Sequence, residues 1–227
     1  MITLTGIQRL YRSDEIETAA LRDIDLTIEK GEFVAVMGPS GCGKSTLLNI
    51  MGLIDRPTAG SYFFASDDLA QANETRLAVI RAQHLGFIFQ SFNLIDELTV
   101  AENIELGLVY RRKIPAGERR DMIAAAMDRV GIAHRASHYP HQLSGGQQQR
   151  AAIARAIVAK PDLILADEPT GNLDSENGAQ VMEILKGLNT EGATIVMVTH
   201  SAAQADEAGR VVDMLDGRIV AGVRRAA

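Results

Sequence analysis

The stretch Gly38-Pro39-Ser40-Gly41-Cys42-Gly43-Lys44-Ser45-Thr46 constrains this chain more than any other. An apolar run, Phe33 to Met37, leads into it, and a helical pattern through Leu47, Leu48, Ile50 and Met51 follows. Strand, glycine-rich turn, Lys-Ser, helix is the arrangement of a phosphate-binding loop. Gly38, Gly41 and Gly43 let the backbone curl until successive N–H groups converge on phosphate oxygens, and the helix beginning near Lys44 adds the positive end of its dipole. Lys44 supplies a mobile cation for the outer phosphates, and the Ser45 hydroxyl is placed as a ligand for Mg²⁺. The segment predicts a nucleotide site.

A strand feeding a helix in this way belongs to an α/β protein, and the rest of the chain agrees. Short apolar runs recur between helical patterns: Leu85 to Phe89, Leu163 to Ala166, Thr194 to Val198 and Val211 to Leu215. They are nearly continuous rather than alternating, so both faces should be covered, as in a largely parallel sheet. Ile2, Leu4, Leu26 and Ile28 alternate with polar residues instead, and with Ser61 to Ala65 they predict antiparallel strands beside the main sheet. From Val100 to Ala159 the periodicity is helical, as at Met122, Ile123, Ala126 and Val130. Asp216-Gly217 between two apolar runs is a two-residue hairpin signal. The expected organisation is a core with a β-subdomain over about 1–90 and 160–227, and an inserted helical subdomain over about 91–159.

Two further segments complete a nucleotide site. The run Leu163 to Ala166 ends in Asp167-Glu168, where Asp167 is placed to hold the Mg²⁺ shell and Glu168 to polarise an attacking water. Leu143-Ser144-Gly145-Gly146-Gln147-Gln148-Gln149-Arg150 precedes a strong helix former in which Ile153 and Ile157 are four apart. Ser144 sits where an N-cap belongs, and the glycines after it leave backbone N–H groups open at a positive helix end.

That last string resembles, letter for letter, the signature motif of the ATP-binding cassette (ABC) ATPases. Under this resemblance Gln90 matches the Q-loop glutamine and a Mg²⁺ ligand, Gly171-Asn172-Leu173-Asp174 the D-loop, His200 the switch histidine, and Tyr11 the aromatic that stacks on adenine. It implies a RecA-like P-loop NTPase core and ATP with Mg²⁺ as cofactors. It further implies catalysis by Glu168, His200 and Lys44, with Ser144, Gly145, Gly146 and Gln147 acting on nucleotide held by a second copy of the chain. Ser201 after His200 departs from the family, whose members often carry Asp there. The wording Ile88 to Leu94 and Asp167 to Ser175 is most similar to the macrolide-exporter and lipoprotein-release subfamily.

Composition then takes on meaning. The 227 residues carry a net charge of −6, so no nucleic-acid partner is expected. No stretch reaches the roughly 20 apolar residues of a membrane span, no secretory signal opens the chain, and Cys42 is the lone cysteine. The expected location is the cytoplasm, peripheral on the inner face of the cell membrane. A separate integral membrane permease is the expected partner, received by residues 91–99 through Phe92, Leu94 and Ile95, unless these pack between the subdomains. Export or lipoprotein release is the leading reading; the alternative is a conformational signal passed to a membrane partner without transport, as in cell-division relatives. Arg111-Arg112-Lys113 reads as a solvated face. Cys42, near Lys44 and a helix N-terminus, is either a reactive thiol or a small residue tolerated in the loop.

Overall fold

The computed structural model describes residues 1–12, 17–111, 114–220 and the backbone of 224–225. In chain order these form β1 (Ile2–Arg12), β2 (Glu17–Ile28), β3 (Phe33–Met37), α1 (Lys44–Met51), β4 (Ala59–Phe64), β5 (Asp67–Asp68), α2 (Glu74–His84) and β6 (Leu85–Ile88). There follow α3 (Val100–Glu105), α4 (Ala116–Arg129), α5 (Gly145–Ile157), β7 (Leu163–Asp167), α6 (Ser175–Thr190), β8 (Thr194–Thr199), α7 (Ala202–Ala205), β9 (Arg210–Leu215), β10 (Arg218–Ile219) and β11 (Arg224–Arg225). Contacts divide the chain into two compact units, Met1–Ala78 with Thr194–Ala227, and Val79–Ala193.

In the first unit, β3 lies parallel to β8 on one side, Phe33 opposite Ile195 and Met37 opposite Thr199, and parallel to β9 on the other. Val34, Ala35, Val36 and the interior of β8 are buried. That double coverage is the reason these runs do not alternate. A smaller antiparallel sheet pairs β1 with β2 and with β4, setting Ile2 against Ile28 and Phe64, and Leu4 against Leu26 and Tyr62. Here one face is apolar and the other polar. Tyr62 is 1% exposed, its hydroxyl donates to the Met51 carbonyl at 2.6 Å, and burial pushes its phenol well above the ordinary range. The turn from β9 to β10 uses Asp216 and Gly217 at φ 48° and 77°, the pair of positive angles that a two-residue hairpin needs.

In the second unit, β6 and β7 pair in parallel, Leu85 with Leu163 and Ile88 with Ala166. The helix α5 packs against α3, α4, α6 and β6. Its buried positions include Ala151, Ala152, Ile153, Ala154 and Ile157, small enough on most turns to let its neighbours close in. Among the described residues, 91–159 forms helices and single 3₁₀ turns with no strand.

The expected strands are present with ends shifted by a residue or two: β6 stops at Ile88, β7 runs on to Asp167, and β4 begins at Ala59. Of the run Arg111-Arg112-Lys113, the second and third residues lie outside the described ones. Arg111 itself is half-buried, and its guanidinium donates to the Gln83 carbonyl at 2.6 Å. No helix of the described residues is long and apolar enough to cross a membrane.

Candidate functional site

The phosphate loop joins β3 to α1 in the first unit. Gly43 occupies the cap position of α1 at φ 102° and, as a glycine, offers no capping side chain. A Cβ on Gly43 would stand 2.4 Å from the Ala20 carbonyl oxygen, and one on Gly38 would stand 2.2 Å from that of Met214. Contacts below 3 Å with backbone cannot be relieved by a rotamer change, so β2 and β9 both press on the loop. The hairpin after β9 supports it as well: Gly217 N–H donates to the Cys42 carbonyl at 3.0 Å, while its own carbonyl accepts from Arg22 N–H at 2.8 Å.

Lys44 is 7% exposed. Its ammonium donates to the Gly38 and Pro39 carbonyls, both at 2.8 Å, which satisfies a buried cation by the loop's own backbone. Cys42 Sγ lies 3.9 Å from Lys44 Nζ, but the residue is only 4% exposed. A reactive thiol needs solvent access, so the structure favours the small packed residue over the reactive one.

Tyr11 is held by neighbours that the sequence did not single out. Its hydroxyl donates to Asp55 Oδ2 at 2.7 Å, and the Arg9 guanidinium lies 4.4 Å from its ring centroid, a cation–π distance. Asp55 in turn takes two bonds from Arg9, at 2.9 and 2.8 Å. The ring remains 41% exposed. At the end of β8, His200 is exposed and Ser201 caps α7, its hydroxyl accepting from Gln204 N–H at 3.4 Å. Asp at that position would cap equally well, so the departure from the family keeps this local role.

The second unit carries the remaining candidates. Asp167 ends β7, and Glu168 follows at φ 45°, a left-handed conformation that a side chain rarely adopts and that costs on the order of 1–3 kcal/mol. Its carbonyl accepts from Gly171 N–H at 2.9 Å, closing a turn into the D-loop segment. Ser144 caps α5 as its sequence suggested. Rather than standing open, however, the cap is closed on itself: Ser144 Oγ accepts from Gln147 N–H at 3.3 Å and Ser144 N–H donates to Gln147 Oε1 at 3.1 Å. Gly146 is needed for a different reason from a phosphate cradle, since a Cβ there would meet Asn177 Oδ1 of α6 at 2.1 Å.

Asp174 caps α6 with both carboxylate oxygens, one accepting from Asn177 N–H and one from its side-chain amide, each at 2.8 Å. The backbone bond first, and then the side-chain bond, hold its carboxyl below the usual range. Gln90 follows β6 and meets Asn172.

Residues 91–99 are braced from beneath. Arg155 of α5 donates to the Phe92 and Asn93 carbonyls at 2.8 and 2.5 Å, and both of those residues have positive φ, 60° and 52°. Asn103, fully buried in α3, accepts from Ile95 N–H at 2.8 Å and donates to the carbonyls of Ile95, Leu98 and Thr99 at 3.0 Å each. Phe92 and Leu94 are half-buried and Ile95 is 43% exposed. Sequence reasoning missed Asn103, Arg155 and the fully buried Gln149; a polar residue on an otherwise apolar helix face was the available signal.

A family model described as ABC transporter matches residues 21–171. The macrolide export ATP-binding/permease protein MacB of Rhodopseudomonas palustris is 50% identical over 97% of this chain, and the chain spans 33% of its length. The ABC transporter ATP-binding protein MJ1508 of Methanocaldococcus jannaschii is 49% identical over 97% of this chain and 98% of its own length. Among solved structures, the ATP-binding cassette MJ0796, in a dimeric post-hydrolysis state bound to ADP and Pi, superposes with a TM-score of 0.92 at 41% identity, covering 100% of this chain and 99% of that one. Sequence and fold agree along almost the entire length: the chain belongs to the ABC transporter family.

Proposed function

We propose that the chain is an ATP-hydrolysing subunit that works as a head-to-tail pair and drives a membrane permease component, at the cytoplasmic face of the inner membrane. The observation that carries this reading is the start of α1: a helix end with no capping side chain, beneath a loop whose glycines are forced by neighbouring backbone, with a buried lysine resting on that loop's carbonyls. Triphosphate oxygens would take the place of those carbonyls around Lys44 and fill the loop from Gly38 to Thr46. Tyr11, braced by Arg9, offers a flat surface to adenine.

Among the described residues no cluster of three His, Cys, Asp or Glu side chains stands ready to hold a metal alone. This fits Mg²⁺, which takes few protein ligands and relies on phosphate and water for the rest. Ser45, Asp167 and Gln90 offer hard oxygens for it, and when bound it neutralises charge on the transferring phosphoryl group. Glu168 polarises the attacking water, His200 contacts the γ-phosphate, and Lys44 stabilises the developing charge.

Ser144 and the N–H groups of Gly145, Gly146 and Gln147 act on the nucleotide of a second copy, with Asp174 nearby in the D-loop. The dimeric MJ0796 cassette supports the pairing, and the name of the MacB relatives supports the permease. The 91–99 loop, with Ile95 exposed, is the proposed contact for that component.

Glu168→Gln tests the central claim. ATP binding should persist while turnover falls by about 10² or more, and sedimentation should show an ATP-dependent dimer. Hydrolysis at the wild-type rate would sink the assignment.

A further inference from the structure

Gln90 and Asn172 are joined by two hydrogen bonds. Asn172 Nδ2 donates to the main-chain carbonyl of Gln90 at 3.1 Å, and Gln90 Nε2 donates to Asn172 Oδ1 at 3.3 Å. The order of these bonds decides how both amides are turned. A main-chain carbonyl can only accept, so the Gln90 carbonyl requires the NH₂ end of Asn172. That leaves Asn172 Oδ1 toward the Gln90 side chain, which must answer with its own NH₂. The opposite turn of either amide would set two oxygens against each other. With Nε2 held by Asn172, Gln90 Oε1 faces away from it, and Oε1 is the one atom of this side chain that can ligate a hard cation.

The surroundings preserve this arrangement. Residue 171 is glycine, and a Cβ there would lie 2.7 Å from Gln90 Nε2 and 3.2 Å from its Cγ and Cδ. The backbone on either side is tied by Gln149, which is fully buried in α5 and donates to the Pro169 carbonyl at 2.6 Å and the Phe89 carbonyl at 3.4 Å. The strand ends leading to Gln90 and to Asn172 are thus fastened to one side chain.

We infer that Asn172 is a positioning residue for Gln90: it fixes the amide so that Oε1 is presented to the divalent cation of the nucleotide site. The inference rests on the proposed role of Gln90 as a cation ligand. It is an outer-shell contact of the kind whose loss weakens metal binding by about 10- to 100-fold.

Mn²⁺ is the probe, read by electron paramagnetic resonance in the ATP complex of the full chain carrying Glu168→Gln, so that nothing turns over. Four versions are compared: no further change, Gln90→Ala, Asn172→Ala, and both together. Asn172→Ala should weaken Mn²⁺ about tenfold, Gln90→Ala at least as much, and the pair no more than Gln90→Ala alone, because the two act through one ligand. ATP affinity without a divalent cation and the thermal midpoint should stay put, Asn172 being exposed. Unchanged Mn²⁺ affinity in Asn172→Ala, or an equal further loss when it is added to Gln90→Ala, overturns the positioning role while Gln90 keeps its own. An unshifted Gln90→Ala removes Gln90 from the cation site, and the inference falls with it.

Discussion

The start of α1 and the starts of α5 and α6 are built in opposite ways. Each helix leaves N–H groups at its first turn that need partners. At α5 and α6 the chain provides them itself: Ser144 and Gln147 close a reciprocal box, and Asp174 takes both hydrogens offered by Asn177. At α1 the cap residue is Gly43, which has no side chain to do so, and the ammonium of Lys44 bonds to carbonyls of the loop. One end is complete without a ligand and the other is shaped for an anion. A phosphate meeting the phosphate loop takes the place of carbonyls around Lys44, whereas a phosphate meeting α5 competes with an intact cap. Under the proposed function, that difference would let each chain bind its own nucleotide first and reach its partner's second.

The comparison breaks most sharply at Gly43. Gly43→Ala puts a methyl group 2.4 Å from the Ala20 carbonyl at a φ of 102°, and strain with overpacking should cost about 3 kcal/mol. Denaturant unfolding should show that loss, and equilibrium titration should show nucleotide binding abolished. A stable Gly43→Ala chain that still binds ATP would mean the close approach does not dictate the glycine.

Lys44→Ala comes next. It removes a charge-assisted contact to the phosphates worth about 1.5–3 kcal/mol, so ATP affinity should drop by roughly ten- to a hundredfold. Normal affinity would count against the phosphate loop as the nucleotide site. Ser144→Ala is milder and opposite in kind. Loss of the cap should cost about 1 kcal/mol of stability with ATP binding by the chain's own loop unchanged and turnover reduced. Weakened ATP binding in this variant would erase the distinction between the two helix ends.

How much of this was legible in advance follows from the distance over which each feature is encoded. The strand, loop and start of α1 were visible because their physics is local: apolar run, glycines, lysine and helix sit within a few residues of one another. The Asp216-Gly217 turn and the Ser144 cap are local for the same reason. By contrast, β5 consists of Asp67 and Asp68, poor strand formers, and exists only because Phe63 and Phe64 offer it a ladder. Arg9 and Asp55 brace Tyr11 from positions far apart in the chain, and Arg155 reaches back to Phe92 across helix and loop. No periodicity announces such pairs. The closed box at Ser144 was half legible, since serine followed three residues on by glutamine is its signature, yet the glycines between suggested an open anion site instead.

The smallest effect separates the two kinds of cap by pH. Asp174 is exposed, and the hydrogen bonds from Asn177, backbone first and side chain second, lower its carboxyl below the ordinary value. A lowered carboxyl contributes stability that is present above its unfolded value, about 4, and is lost as pH falls through the folded one. Glu102, which closes the box at Thr99 on α3, is lowered by the Thr99 side chain and then its backbone, so it acts in the same direction. The Ser144–Gln147 box contains nothing that titrates. Asn at 174 keeps an acceptor for the cap but cannot ionise. Thermal unfolding should therefore show the wild type slightly more stable than Asp174→Asn at pH 7, and the two should converge below pH about 4 as the wild type loses that advantage. Ser144→Ala should keep a constant offset across the same range. Parallel curves for Asp174→Asn and wild type down to pH 3 would show that the Asn177 bonds do not depend on the charge, leaving the α6 cap no different in kind from that of α5.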